Sequence, residues 1–181
     1  MRGKGFIAGT VLAATIMGSA MAGPGDRAPM PNPNIQILLG GLTFRIRTGG
    51  DDLRSDSEAW IELHFKDGGN QKCELKDIFE HTWDNYSFHE APACTLSPAR
   101  SMSDLKAASI VLRYDGSPFP TDPMVTAFNT VDNWDVREVH ITALTLSDKS
   151  LVCLLDQSGN PLVRLTDNTR GMVLTPLAGC P

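Results

Sequence analysis

The sequence is poor in the features that announce chemistry. It holds no Gly-x-Ser-x-Gly, no His-Glu-x-x-His, no phosphate-cradling glycine loop and no dinucleotide fingerprint. The common hydrolase, zinc-protease, nucleotide and nicotinamide readings therefore have no motif to rest on. The lack of any Cys-x-x-Cys removes thiol-redox and zinc-ribbon sites. Positive charge is scarce, with 16 Lys+Arg against 21 Asp+Glu, so no surplus exists to neutralise phosphates and nucleic acid is not an expected partner. There is no internal repeat, and no strands alternate with long helices, which disfavours solenoids and doubly wound sheets. One long apolar run occurs, and it lies at the start.

Arg2 and Lys4 precede an uncharged stretch through Ala20, which closes with Ala20-Met21-Ala22 and the helix-breaking Gly23-Pro24-Gly25. A positive start, an apolar centre and a small-x-small site predict a signal peptide over 1–22, cleaved after Ala22. Gly9, Thr10, Thr15, Gly18 and Ser19 dilute the run below the roughly 20 strongly apolar residues of a membrane span. The chain is thus expected to be exported, periplasmic or secreted, without a transmembrane segment after cleavage. Residues 23–34, with Pro24, Pro29, Pro31 and Pro33, predict a Pro/Gly-rich tether. Cys73, Cys94, Cys153 and Cys180 all lie beyond the leader, and an even number in an oxidising compartment reads as disulfides. Three pairings are open; closeness in sequence favours Cys73 with Cys94 and Cys153 with Cys180.

From residue 35 the pattern has a period of two. Leu42, Phe44 and Ile46 alternate with Thr43, Arg45 and Arg47; Ala59, Ile61, Leu63 and Phe65 alternate with Trp60, Glu62, His64 and Lys66. Such alternation marks strands with one face buried. Asp67-Gly68-Gly69-Asn70 supplies a turn before a strand over 71–75. Ile110, Leu112 and Tyr114 form another run, and Val139, Ile141, Ala143 and Thr145 a further one. The C-terminal part repeats the device: strands over 151–155 and 162–165 around a turn at Gln157-Ser158-Gly159-Asn160-Pro161, then a strand over 172–174. A short helix is expected over 102–108, with Ser103 as its cap. The fold class is all-β, an antiparallel β-sandwich over 35–146. Residues 147–181 are expected to add a C-terminal β-hairpin extension and a disulfide-pinned tail along a sheet edge.

Two clusters stand out. Asp51, Asp52, Asp56 and Glu58 lie in a loop between confident strands, and Asp132 and Asp135 open the strand that holds Val139. If those flanking strands are antiparallel neighbours, the two acidic segments meet at one end of the sandwich. Calcium takes six to eight oxygens at about 2.3–2.6 Å, which makes these carboxylates a candidate calcium site. The competing reading is a loop that hydrogen-bonds to itself, with Arg54 neutralising it. The second cluster runs from His81 to Glu90 and includes Trp83, Tyr86, Phe88 and His89. It reads either as a metal or sugar contact loop, with Trp83, Tyr86 and His89 as a stacking platform, or as a plug whose aromatics fill the sandwich. A hydrolase built on His81 and His89 is the weakest of the options. His64 and His140 fall on polar strand faces, as surface histidines do.

The run 44–68, a strand followed by Thr48-Gly49, an acidic glycine-containing loop and an Ala59-led alternating strand, resembles the opening of a PLAT domain, the lipoxygenase-homology β-sandwich. Asn133-Trp134-Asp135-Val136-Arg137-Glu138-Val139-His140-Ile141 is similar to the Trp-x-x-x-x-Val-x-Val closing strand of that family. The resemblance covers residues 40–145 and extends to small bacterial secreted proteins. It implies a non-catalytic module contacting a lipid surface or a protein partner, with calcium assistance that varies within the family. Lipid docking would use exposed aromatic tips, for which Trp60 and Trp134 are the candidates. A carbohydrate-binding module and a purely structural envelope protein remain as alternatives.

Overall fold

Alternating burial along each strand is what assembles the fold. In β1 (Leu38–Thr48) the side chains of Leu42, Phe44 and Ile46 turn inward while Arg45 faces water; in β2 (Glu58–His64) Ala59, Ile61 and Leu63 turn inward and Glu62 and His64 outward. Each fully buried Leu or Ile contributes about 1.5–3 kcal/mol of hydrophobic stabilisation, so a one-residue slip of either strand would expose its whole inner set. The structure, a computed structural model, describes residues 36–77, 80–116 and 133–181. The signal peptide and tether expected over 1–34 lie outside the described residues, as does Asp132.

The remaining elements are β3 (Asn70–Lys76), β4 (Phe88–Ser101), α1 (Met102–Ala107), β5 (Ser109–Asp115), β6 (Trp134–Thr145), β7 (Leu151–Leu165) and β8 (Gly171–Leu174). They form two antiparallel sheets, ordered β4-β1-β6-β7 and β3-β2-β5-β8. The core between them joins Leu42, Ile46, Ile61, Leu63, Ile110, Leu112, Val139 and Ile141 with the aromatic rings of Trp134 and Tyr114. Both sheets take an outer strand from the residues after 146. Each open side of the sandwich is closed by a disulfide, Cys73 on β3 to Cys94 on β4, and Cys153 on β7 to Cys180 beyond β8. These are the pairs that sequence proximity favoured. Among the described residues no helix is long and apolar enough to cross a membrane.

Three local expectations are corrected. β4 had no strand signal, because Pro92 and Pro98 interrupt it and it forms a sheet edge, where prolines are tolerated and both faces can be wet. The helix cap is Ser101, not Ser103: the Ser101 hydroxyl accepts from the Asp104 N–H at 3.1 Å, and the Asp104 carboxylate accepts from the Ser101 N–H at 3.0 Å. This reciprocal box satisfies two donors of the first turn. Finally, 157–161 is not a turn. Residues 151–165 form one long strand whose pairing with β6 jumps from Glu138↔Ser158 to Val136↔Val163, so 159–162 bulge out within it. The C-terminal hairpin is made by β6 and β7 instead, turning at 146–150, where the Thr145 N–H donates to the Ser150 carbonyl at 2.9 Å.

Candidate functional site

β1 and β6 are antiparallel neighbours, with Arg47 opposite Glu138 and Thr48 opposite Val136. The end of one and the start of the other therefore coincide, and the acidic loop folds over this pole. The Gly49 N–H donates to the Asp135 carbonyl at 2.6 Å, and the Asp135 N–H donates to the Asp51 carbonyl at 3.2 Å. A Cβ at Gly49 would come within 2.7 Å of the Asp135 Cβ, so this close approach requires glycine. Asp51 and Asp135 thus meet as the sequence suggested.

What lies between them is a cation of the chain itself. Arg164, opposite Asp135 on β7, donates through Nη1 to Asp135 at 3.1 Å and through Nη2 to Asp51 at 2.7 Å. Burial, reinforced by Asp135 and Asp52, holds the Asp51 carboxyl above its ordinary value even though Arg164 pulls it down. Beneath the loop the buried Lys76 ammonium donates to the carbonyls of Ser57, Ser55 and Asp77 at 2.8, 3.1 and 3.2 Å. Asp52 and Asp56 are half-buried, and Glu58 opens β2 opposite Asp115 in the other sheet. Among the described residues no group of three or more His, Cys, Asp or Glu is placed to hold a metal. Arg164 fills the space between Asp51 and Asp135, so a calcium ion bridging those two carboxylates would have to displace its guanidinium. Arg164 is the arginine that bridges the two acidic segments, and Arg54 also acts electrostatically on Asp51.

The 81–90 segment docks against this loop through paired hydrogen bonds between Leu53 and Trp83, at 2.8 and 3.1 Å. The Thr48 hydroxyl also donates to the Asp84 carbonyl. Trp83 is buried, with His89 stacked on it at 4.6 Å and 1° and Trp134 edge-on at 6.0 Å. The ring face that a sugar would need is occupied by His89, so the Trp83–Tyr86–His89 platform does not exist. The same burial pushes the His89 imidazole below its ordinary value, and Ser87 holds it at 2.6 Å. His81 is exposed, and no hydrogen bond or ion pair among the described residues joins it to His89. Trp134 is fully buried beside Tyr114 and cannot be a docking tip. Trp60, on the outer face of β2, donates to Glu62 at 3.0 Å and lies under the Lys72 ammonium at 4.7 Å.

Two aromatics are exposed at this pole, and one of them, Tyr86, is among the contact candidates. Tyr86 is 58% and Phe88 45% exposed. Tyr86 has a positive φ of 58°, donates its N–H to the Gly49 carbonyl at 2.9 Å, and lays its hydroxyl where a Gly50 Cβ would project, 2.9 Å away. Phe88 opens β4, with the Arg45 guanidinium 4.0 Å and the Arg47 guanidinium 5.1 Å from its ring centre. Arg47 is also bonded to Glu138 at 2.8 Å and to the Tyr86 carbonyl at 3.4 Å. Of the five aromatic or histidine contact candidates, only Tyr86 is presented to solvent as a tip. Phe88 and Arg47 were missed, although the outward arginines of β1 and the spacing of Phe88 two residues from Tyr86 were there to be read.

No protein-family model and no curated protein sequence matches the chain. Its fold is similar to that of Alpha Toxin from Clostridium absonum, with a TM-score of 0.54 and 16% identity over 78% of this chain and 33% of the toxin. The lipoxygenase structure Delta413-417:GS LOX, alone and in complex with arachidonate, matches 78% of this chain and 18% of its own, with 14% identity and a TM-score of 0.44. The chain spans about a third or less of the length of these proteins. The expected fold class is the one found: residues 36–181 form an all-β antiparallel sandwich, and the likeness to the toxin is one of fold.

Proposed function

We propose that the chain is an exported, non-catalytic binding module that docks on a lipid surface through the tip formed by Tyr86 and Phe88, with Arg47 beside them. The observation that carries this reading is the sorting of aromatics at one pole: Trp83 and Trp134 are buried, while Tyr86 and Phe88 remain exposed on the rim. An amphipathic tyrosine and an apolar phenylalanine suit the headgroup layer, where the rings leave water and the Arg47 guanidinium, on exchanging Glu138, pairs with phosphate. The PLAT resemblance favours a lipid or protein contact, and two disulfides suit an oxidising compartment. In this reading calcium plays no part, since Arg164 already bridges the two acidic segments.

Co-sedimentation with mixed phosphatidylcholine–phosphatidylglycerol vesicles tests it. The wild type pellets with the vesicles, with or without chelator. The Tyr86→Ser/Phe88→Ser variant stays in the supernatant while keeping its thermal midpoint. A wild type that never pellets, or a double variant that pellets equally, overturns the reading, and a protein partner then becomes the better one.

A further inference from the structure

The solvent face of the β4-β1-β6-β7 sheet carries a row that crosses every strand: Glu90, Arg45, His140 and Asp156 are successive register partners. Beside this row the hydroxyls of Thr43 and Thr142 meet at 2.5 Å. Together Thr43, Arg45, Glu90, His140 and Thr142 line an open groove of about 410 Å³. Small-ligand sites start at about 300 Å³, so the groove has room for one or two sugar rings.

Arg45 differs from several other strand arginines. Arg47, Arg113 and Arg164 each reach a carboxylate. The Arg45 guanidinium lies against the Phe88 ring and has no carboxylate within ion-pair distance among the described residues, although Glu90 stands opposite it. The ring contact orients the fork, which leaves its N–H edges available for bidentate recognition of a planar anion. Around this guanidinium stand two hydroxyls, the Glu90 carboxylate and the His140 imidazole, whose Nδ1 faces the Asp156 carboxylate at 3.6 Å just outside the groove. Such a set offers donors and acceptors at short spacing, as a polyol requires. The two flanking carboxylates oppose a doubly charged phosphate and tolerate one carboxylate set on Arg45.

We infer that this groove binds an acidic sugar, a hexuronate unit whose carboxylate pairs with Arg45 and whose ring hydroxyls bond to Thr43, Thr142, Glu90 and His140. The groove adjoins the lipid tip through Phe88, whose ring carries Arg45, but its uronate contacts do not require that tip to meet lipid.

The test is titration of the oxidised full chain, without vesicles, with sodium glucuronate and galacturonate oligomers, followed by calorimetry and backbone amide shifts. Glucose and sodium acetate serve as comparison titrants. Saturable binding of a uronate is expected, with shifts centred on Thr43, His140 and Thr142 and weaker responses to glucose and acetate. Arg45→Ala should weaken it about tenfold or more, the size of a lost charge-assisted hydrogen bond. Thr142→Val, which lies away from the lipid tip, should weaken it less. The inference is overturned by no saturation with any uronate, by acetate or glucose matching glucuronate, or by Arg45→Ala binding as the wild type does.

Discussion

Arg164→Ala probes the pole of the sandwich most sharply. The substitution deletes two charge-assisted hydrogen bonds, to Asp51 at 2.7 Å and to Asp135 at 3.1 Å. Arg164 is 51% exposed and the Asp51 side chain 33% exposed, so solvent screening limits that pair to about 1 kcal/mol or less. Asp135 is different, because its side chain is only 12% exposed. Left beside Asp51 without the Arg164 guanidinium, it costs about 1–3 kcal/mol as a poorly compensated buried acceptor. The expected loss is about 2 kcal/mol, or a drop in Tm of roughly 4–8 °C for a domain of this size. The variant should also acquire what the wild type lacks. With the guanidinium gone, two facing carboxylates attract a divalent cation, and millimolar calcium should restore part of the lost midpoint. Differential scanning calorimetry of both proteins, with calcium and with chelator, reads each effect. An unchanged midpoint, or a wild type stabilised by calcium as much as the variant, would refute the reasoning.

Three further outcomes are expected. His89 is held below its ordinary value of 6.5 by burial; the folded state resists the charged form, so this contribution to stability is complete above 6.5 and falls away as pH drops through the lower folded value. His89→Phe keeps a ring on Trp83, and chemical denaturation across mildly acidic pH should show that slope flattened. Asp148 is lowered to about 2 by hydrogen bonds from Thr145 and Ser150, so its contribution is present above 3.8 and lost as pH falls toward about 2; Asp148→Ala should flatten the acid limb of the same curve. Gly49→Ala drives a Cβ to 2.7 Å from that of Asp135 and should cost about 1–3 kcal/mol by overpacking, seen as a lower urea midpoint at unchanged m-value.

The one-sided strands were legible because burial imposes a period of two that survives any turn chemistry, and Leu42–Phe44–Ile46 and Ala59–Ile61–Leu63 show it without interruption. β4 was hidden because an edge strand needs no apolar face, and its prolines argued against a strand. The bulge of β7 was hidden for the opposite reason: Ser158-Gly159-Asn160-Pro161 has turn chemistry, yet pairing with β6 carries the chain onward. The meeting of Asp51 and Asp135 was readable because it follows from two neighbouring antiparallel strands. Arg164 was not, since it reaches the pole from an edge strand 113 residues beyond Asp51, and nothing local connects them. The tryptophans misled because a residue's strand face says which side it starts on, not what later covers it: Trp60 is capped by Lys72, and Trp134 is sealed beneath Trp83.

The most direct test of the docking surface is to place a reporter at its tip. In Tyr86→Trp the new indole should sit exposed at the tip, while Trp83 and Trp134 remain buried and Trp60 stays on the outer face of β2 under Lys72. Phosphatidylcholine–phosphatidylglycerol vesicles carrying brominated acyl chains should then quench the emission of this variant and leave that of the wild type nearly unchanged. Equal emission of the variant with brominated and ordinary vesicles would contradict the account.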